Sequence, residues 1–379
     1  MRECDRMDIY VLSGLNGIAG MLENYQSCIW TTQSMGLSNF EIITQATAEN
    51  IQLLQQGRYL VREQDFIDAT TFNNVMIIES VRIDFEAEQG WILTVAGRGL
   101  KSIVGRRIVW NRLTTDGLLI GDKVSDMIYT VITENVSRNA YPDPDNRKIE
   151  NFKVIYPSGL DDEADIQLFG ENIGEWLEEV CRVYGYSWDV SIKKLEGLGP
   201  FYVFELYKGT DRSTEQDDVP PVVFSQEFEN LLSASYLSDR TRYRNAALIG
   251  GEGEGADKKT AGIGASKADL NRYELYVDGG GISSENGTIT DAKYRKMLQS
   301  FGRSELWGYT VEKTFEGAVE TTGTYELDVD YHLGDRVTID TGLGISAHPL
   351  ITEIIDSVSE EGHTTILNFQ DWEVEDKWL

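Results

Sequence analysis

The side chains that most often bind metal ions are sparse in this sequence. Its three histidines, His332, His348 and His363, lie near the carboxyl end, and no two of them have HxH or HExxH spacing. The cysteines are equally dispersed, at Cys4, Cys28 and Cys181. Three distant cysteines without a CxxC pair predict neither a zinc knuckle nor a disulfide framework. We therefore expect no metal site, and we place the histidines at strand ends and turns.

A glycine-rich segment, Gly250 to Gly255, superficially resembles a turn that binds phosphate groups. Its sequence is GGEGEG, and it follows the apolar run Ala246 to Ile249. The spacing differs from GxGxxG, two glutamates would face the phosphate, and no apolar helix follows to present its amino terminus. We interpret the segment as part of a mobile loop, Gly250 to Gly264, and not as a nucleotide site.

Acidic side chains are too numerous to single out a catalytic pair. The sequence has 63 aspartates and glutamates, so chance supplies many carboxylate pairs of the kind that glycoside hydrolysis needs. The acidic turns at Asp143 to Asn146 and at Asp161 to Glu163 lack the alternating ligands of an EF-hand loop. No GxSxG elbow is present for a serine nucleophile. We predict a protein without catalytic residues, cofactor or structural metal.

The length and the net charge of the chain exclude further classes of protein. The 379 residues, 41% hydrophobic and 26% charged, suffice for two or three packed domains. The net charge of −29 disfavours nucleic-acid binding through lysine and arginine, although DNA could pass such a surface without binding. No apolar stretch is long enough to span a bilayer, and residues 1 to 25 lack the apolar core of a signal peptide. We therefore expect a cytoplasmic product that the general secretory route does not export.

The predicted elements follow the order β, then α/β, then β. Short alternating or β-branched runs fill residues 8 to 110. The clearest of them form a hairpin, in which Asn74 to Phe85 and Gly90 to Gly97 flank a turn at Glu86 to Gly90. One face of its first strand is predicted to carry Ile77, Glu79, Val81, Ile83 and Phe85. Many short strands at this spacing indicate a barrel or sandwich.

Helical periodicity occurs in three places. One helix follows Asp122, its predicted N-cap, a second runs from Gly170 to Tyr184, and a third runs from Asp291 to Ser304. The first two belong to a small α/β module that ends in a polar linker, Gly209 to Pro221. Strand-like sequence resumes after the linker, without an evident tandem repeat.

Three parts of the chain occur in the order known from one family. They are Val75 to Ser80 with Trp91 to Ile108, Asn245 to Gly255 with Arg272 to Asp278, and Tyr331 to Ile339 with Ile351 to Ile354. Together they resemble the hub protein of long-tailed phages. The second part is similar to the middle of the siphovirus tail-hub family from phages of Gram-positive hosts, and the resemblance covers nearly the whole chain.

The third part contains a turn of that family's LGD-V type, formed by Leu333, Gly334, Asp335 and Val337. Gly334 can adopt a backbone conformation that other residues resist, and Asp335 can accept hydrogen bonds from turn amides. Val337 would then point into a barrel. We interpret the turn as a mark of the fold that fixes register and carries no chemistry.

The resemblance implies a β-rich α+β fold of the tail-hub type. Two β-barrel domains, residues 1–112 and 220–379, would flank a small α/β domain with its linker, residues 113–219, and the second barrel would carry an inserted loop and helix. It also implies a homotrimer whose barrels form a pseudo-sixfold ring around the DNA channel at the tail tip or baseplate.

The implied partners are further copies of the chain, the distal tail ring protein, the tape-measure protein, and tip or spike proteins. Genomic DNA would pass through the ring without specific binding. The expected location is the virion tail, after assembly in the cytoplasm of the host bacterium.

Two other functions stay open at this point. A tail-associated peptidoglycan hydrolase or peptidase would need a carboxylate pair or an activated nucleophile. A carbohydrate-binding adhesin would need an exposed aromatic platform, whereas the aromatic residues here mostly follow strand alternation, as core residues do. The structural hub is therefore the favoured prediction.

Overall fold

A computed structural model describes residues 7–68, 71–110, 118–168, 170–194, 199–284, 287–319, 324–343, 346–360 and 362–371. The amino-terminal part contains β1 (Ile9–Leu12), β2 (Ile18–Leu22), β3 (Ser27–Gln33), β4 (Asn39–Gln45), α1 (Ala48–Leu53), β5 (Tyr59–Arg62), β6 (Phe66–Asp68), β7 (Thr71–Phe72), β8 (Met76–Glu86) and β9 (Gly90–Gly99). The central part contains β10 (Leu118–Lys123), α2 (Val124–Asn135), α3 (Pro144–Arg147), β11 (Phe152–Val154), β12 (Glu163–Gln167), α4 (Ile173–Tyr184), β13 (Ser187–Lys194) and β14 (Pro200–Tyr207).

The carboxyl-terminal part is again mostly strand. It contains β15 (Val223–Ser225), β16 (Ser235–Asp239), β17 (Ala246–Gly250), β18 (Thr260–Ile263), β19 (Glu274–Asp278), α5 (Asp291–Trp307), β20 (Glu312–Ala318), β21 (Thr338–Asp340), β22 (Ser346–Ala347), β23 (Leu350–Ser359) and β24 (Gly362–Asp371). Short 3-10 helices lie at Gly14–Asn16, Glu63–Asp65, Leu100–Arg106, Gly255–Asp257 and Asp269–Asn271. The fold is β-rich, as predicted.

One sheet of eleven strands runs through both ends of the chain. Its order is β16-β20-β24-β23-β3-β4-β9-β8-β5-β1-β2. The two ends meet where β3 and β23 pair antiparallel, from Gln33 opposite Glu353 to Cys28 opposite Val358. Strands assigned by sequence to separate barrels thus share one sheet. A separation of 320 residues, as between Gln33 and Glu353, leaves no local signal of this pairing.

The predicted hairpin is formed by β8 and β9, but its faces differ from the prediction. A register shift between Ile78 and Ser80 interrupts the ladder. Ile77 and Ile78 pack into two different cores, as consecutive strand residues do. Because of the shift, Val81 lies on the same face as Ile78 rather than Ile77. Gly97 marks the cause, because a Cβ there would lie 1.9 Å from the carbonyl oxygen of Ile77.

The three predicted helices correspond to α2, α4 and α5, with one correction at a helix start. The N-cap of α2 is Lys123 and not Asp122, because Asp122 continues β10 and pairs with Ala164 of β12. The first helical amide, on Val124, donates to the carbonyl of Asp162 at 2.8 Å, so a backbone group and not a side chain satisfies this amide. In α4, by contrast, the Asn172 side chain accepts from two amides as an N-cap.

A second sheet links the amino-terminal part to the central part. Its order is β11-β14-β13-β7-β6, and β7 joins β13 where Phe72 lies opposite Ile192. Helices α2 and α4 contribute to the core on this side, which includes Trp176 and Trp188. Elsewhere α5 packs on the small sheet β18-β17-β19. Strand β18 lies within the predicted loop Gly250 to Gly264, so that prediction is wrong for this stretch.

Candidate functional site

The three histidines do not come together in the structure. Each imidazole ring lies near different residues: the carboxylate of Asp335 for His332 at 3.7 Å, the hydroxyl of Thr338 and the carboxylate of Glu215 for His348 at 2.9 and 3.6 Å, and the carboxylate of Asp356 for His363 at 3.3 Å. In the described part of the chain, no group of three or more histidine, cysteine, aspartate or glutamate side chains could hold a metal ion.

The two described cysteines are buried thiols without nucleophilic character. Burial raises the pKa of Cys28 to about 12, and it raises the pKa of Cys181 to about 12 as well. A thiol in this state is protonated at neutral pH and is a poor nucleophile. Cys4 lies outside the described residues.

The acidic and glycine-rich segments serve their own local structure. Glu252 accepts hydrogen bonds from the amide and the hydroxyl of Ser284 at 2.6 and 2.5 Å. Its carboxylate therefore connects the glycine-rich segment to a neighbouring loop. Asp143 accepts from the amide of Asp145 at 3.2 Å. Asp162 accepts from the hydroxyl of Tyr186 at 2.7 Å. None of these contacts assembles a catalytic pair.

The turn at Leu333 to Val337 lies where the central and carboxyl-terminal parts meet. Gly334 has a φ of +94°, which favours glycine, and a Cβ there would lie 2.6 Å from Ser187 Oγ. Val337 is fully buried in the carboxyl-terminal core, and Leu333 packs against the same core.

Asp335 holds this turn against the predicted linker. The side chain is 3% exposed and accepts a hydrogen bond from the amide of Thr210 at 2.7 Å. It also accepts from Nε of Arg212 at 2.9 Å and from the amide of His332 at 3.0 Å. Two of these hydrogen bonds join the turn to the linker, and the third lies within the turn itself.

A buried cluster of charged side chains connects β5 to β23. The sequence analysis did not predict this cluster. Arg62 donates from Nε to Asp65 at 2.6 Å and from Nη1 to Asp356, and its guanidinium lies 5.2 Å from the ring centroid of Trp30. All three charged side chains are about 4% exposed. The alternation Ile354, Asp356, Val358 is the signal that was available, since it places a charged residue on an inward face.

Lys101 is a second buried charge, and it binds the loop after β3. Its Nζ donates to the carbonyls of Gln33 and Ser34 at 2.8 and 3.1 Å and lies 4.5 Å from the ring centroid of Trp188. Burial lowers the pKa of Lys101 to about 8. Because two backbone carbonyls already hold the amine, its arrangement is that of a structural contact.

The outer half of the β8–β9 hairpin exposes apolar side chains in a row. Exposed fractions are 39% for Val81, 43% for Ile83, 62% for Phe85 and 56% for Trp91. The rings of Phe85 and Trp91 contact each other with centroids 5.2 Å apart. The prediction that aromatic residues in strand alternation belong to the core is wrong for these two. This row of exposed apolar side chains is the candidate contact surface of the chain.

Two solved structures share the fold along nearly the whole chain. One is the 43 kDa tail protein of prophage MuSo2 from Shewanella oneidensis, with a TM-score of 0.51, 14% identity, and coverage of 96% of this chain and 98% of that one. The other is a tail protein from Neisseria meningitidis MC58, with a TM-score of 0.55, 14% identity, and 96% of each chain covered. The fold is therefore one that tail proteins adopt.

A family model described as "Siphovirus ReqiPepy6 Gp37-like protein" matches residues 8–369. The chain belongs to this family, and the predicted class of phage tail protein is confirmed. Among curated proteins there is no match. The chain is a structural protein and not an enzyme, in agreement with the sequence prediction.

Within the residues that the structure describes, no helix combines the length and the apolar character needed to cross a membrane.

Proposed function

We propose that the chain is the hub of a siphovirus tail tip or baseplate, where three copies form a ring that joins the tail tube to the tip. The observation that carries this proposal is the exposed apolar row on the β8–β9 hairpin, in a sheet that already unites both ends of the chain. Such a surface is expected of a subunit that neighbouring copies complete.

The proposal includes the internal division of the subunit. Residues 1–112 and 220–379 are the two barrels, and residues 113–219 are the α/β domain and linker. The pairing of β3 with β23 supports a close association of the two barrels. The turn Leu333, Gly334, Asp335, Val337 holds the linker in place and marks the fold, which its contacts with Thr210 and Arg212 support.

The acidity supports a DNA channel through the ring. A net charge of −29 per chain greatly exceeds the roughly 2 to 8 that suffices for solubility of a small domain. Carboxylates on the channel wall would repel phosphates, so that the genome slides through without being bound.

The proposed partners are further copies of the chain, the distal tail ring protein, the tape-measure protein, and tip or spike proteins. The resemblance of Asn245 to Gly255 and of Arg272 to Asp278 to hub sequences supports a phage of a Gram-positive host. Assembly would take place in the cytoplasm of that host.

Cryo-electron microscopy of intact particles tests this function. We expect three copies at the tip end of the tail tube, with carboxylates outnumbering lysines and arginines on the channel wall. Copies repeated along the tube, or absence from the tail, would contradict the hub. A basic or neutral channel wall with the acids outside would contradict the DNA-channel part alone.

A further inference from the structure

The outer part of β8, residues Ser80–Glu86, has a backbone edge available for another strand. On that side β5 pairs with β8 only at Met76 and Ile77. The last contact from the same direction is the hydrogen bond from the Gln56 side chain to the carbonyl of Glu79 at 2.6 Å. Among the described residues, no strand continues this pairing along Ser80–Glu86.

This edge has neither proline nor lysine, two of the residues that most often protect natural sheet edges against strand addition. Its charged residues are Arg82, Asp84 and Glu86. They alternate with Val81, Ile83 and Phe85, whose side chains beside the edge are exposed. Backbone hydrogen bonds and apolar contacts are therefore available to the same incoming strand.

The same chain carries a complementary strand at the far end of the sheet. Strand β16, Ser235–Asp239, is terminal in the strand order and has only β20 beside it in the described structure. Leu237 is 48% exposed, and Leu232 just before the strand is 68% exposed.

We propose that β16 of one copy adds to the Ser80–Glu86 edge of β8 in the next copy. Five strand residues fit within a seven-residue edge, and Leu237 would cover part of the apolar row. Residues 80–86 carry Arg82, Asp84 and Glu86, and residues 235–242 carry Asp239, Arg240 and Arg242. One segment therefore has one acidic side chain in excess and the other one basic side chain in excess, so their net charges are opposite in sign. This inference rests on the proposed ring, because it identifies the surfaces through which the copies join.

A second copy is the occupant that this geometry favours. Each chain has one free β8 edge and one free β16 edge among the described residues. When the β8 edge of every copy pairs with the β16 edge of the next copy, both of these edges are covered. Because the two edges are different, the contact is head-to-tail, and a head-to-tail contact closes into a ring when its rotation permits.

Thiol cross-linking tests the contact directly. A chain with Ile83→Cys is coexpressed with a chain carrying Leu237→Cys, both with Cys4→Ser, and treated with a short bismaleimide. We expect a covalent dimer from this mixture. The matched control replaces Leu237→Cys by Leu270→Cys, since Leu270 is 92% exposed in the 3-10 helix Asp269–Asn271, outside the proposed contact, and we expect no dimer there. Equal yields in both mixtures, or no dimer in solution or in assembled particles, would overturn the proposal.

Association measurements give an independent readout. Phe85→Lys places a charge beside the edge, and we expect association by analytical ultracentrifugation to weaken about tenfold or more. Ile67→Lys is the control, because Ile67 is 65% exposed on β6 and lies outside the proposed contact. A ring that persists in Phe85→Lys would overturn this contact and leave the hub function standing. Absence of the chain from the tail would overturn the hub function whatever the cross-linking result.

Discussion

Two long hairpins in the same sheet have similar alternation and opposite environments. In β23, Ile354 is 5% exposed, whereas in β8 the equivalent inward position, Ile83, is 43% exposed. Strand β23 pairs with β24 on one side and, from Glu353 to Val358, with β3 on the other. The outer half of β8 has a strand on one side only among the described residues. The burial of an alternating strand therefore depends on the elements that pack beside it, and the alternation of its sequence alone does not determine it.

We expect the largest difference in stability between the two hairpins when one aspartate is removed from each. We expect Asp356→Ala to lower the free energy of unfolding by about 3 to 5 kcal/mol, because it leaves the guanidinium of Arg62 buried with one partner fewer. Urea unfolding measures the change. The control is Asp84→Ala, whose partner Arg82 is 72% exposed, and its cost should stay below about 1 kcal/mol. Similar losses in both variants would show that the hairpins do not differ in this way.

Truncation of an apolar side chain gives the next largest difference. Ile354→Ala should cost about 2 to 5 kcal/mol of unfolding free energy, because it leaves a cavity beside fully buried neighbours such as Leu367. Ile83→Ala should cost less than about 1 kcal/mol when measured at low protein concentration, where the side chain faces solvent. A large loss for Ile83→Ala in the separated subunit would mean that this row is already covered within one chain.

The hairpin turns provide a smaller contrast. Gly362, the first residue of β24, has a φ of +129°, and Gly90, the first residue of β9, has a φ of +82°. The value at Gly90 is near the left-handed region that an alanine can occupy, while the value at Gly362 is not. We expect Gly90→Ala to cost about 1 kcal/mol and Gly362→Ala about 1 to 3 kcal/mol in thermal unfolding. The reverse order would contradict this account.

The smallest effect concerns the ion pair at the register shift in β8. Hydrogen bonds from Arg98 lower the pKa of Glu79, so this contribution to stability is present above the ordinary glutamate pKa of 4.5 and is lost as the pH falls below it. Glu79→Gln should therefore cost less than about 1 kcal/mol at pH 7, where the pair is partly exposed, and progressively less as the pH falls through the lowered pKa of Glu79. A difference from the natural protein that is constant with pH would exclude the ion pair as its source.

Features that depend on nearby residues can be predicted from the sequence. The hairpin turn between β8 and β9 follows from Gly90, and the end of α4 follows from Gly185, which has a φ of +64°. The amphipathic pattern alone locates α4 and α5, although α5 continues to Trp307.

Features that depend on distant segments cannot be predicted in the same way. The pairing of β3 with β23 and the pairing of β7 with β13 each join parts of the chain that share no local signal. In the candidate site, the turn at Gly334 and Asp335 is visible in the sequence because glycine and aspartate are typical of turns. The exposure of Phe85 and Trp91 cannot be predicted from the sequence, because it depends on where β5 ends.

The β3–β23 pairing also sets the order of events during synthesis. The partner of Gln33 is made 320 residues later, and at roughly 5 to 20 residues per second the ribosome needs about 16 to 64 seconds to reach it. Until then, the edge of β3 can pair with other nascent chains. A chaperone that binds the emerging amino-terminal strands should therefore raise the yield of this subunit more than one added after translation ends.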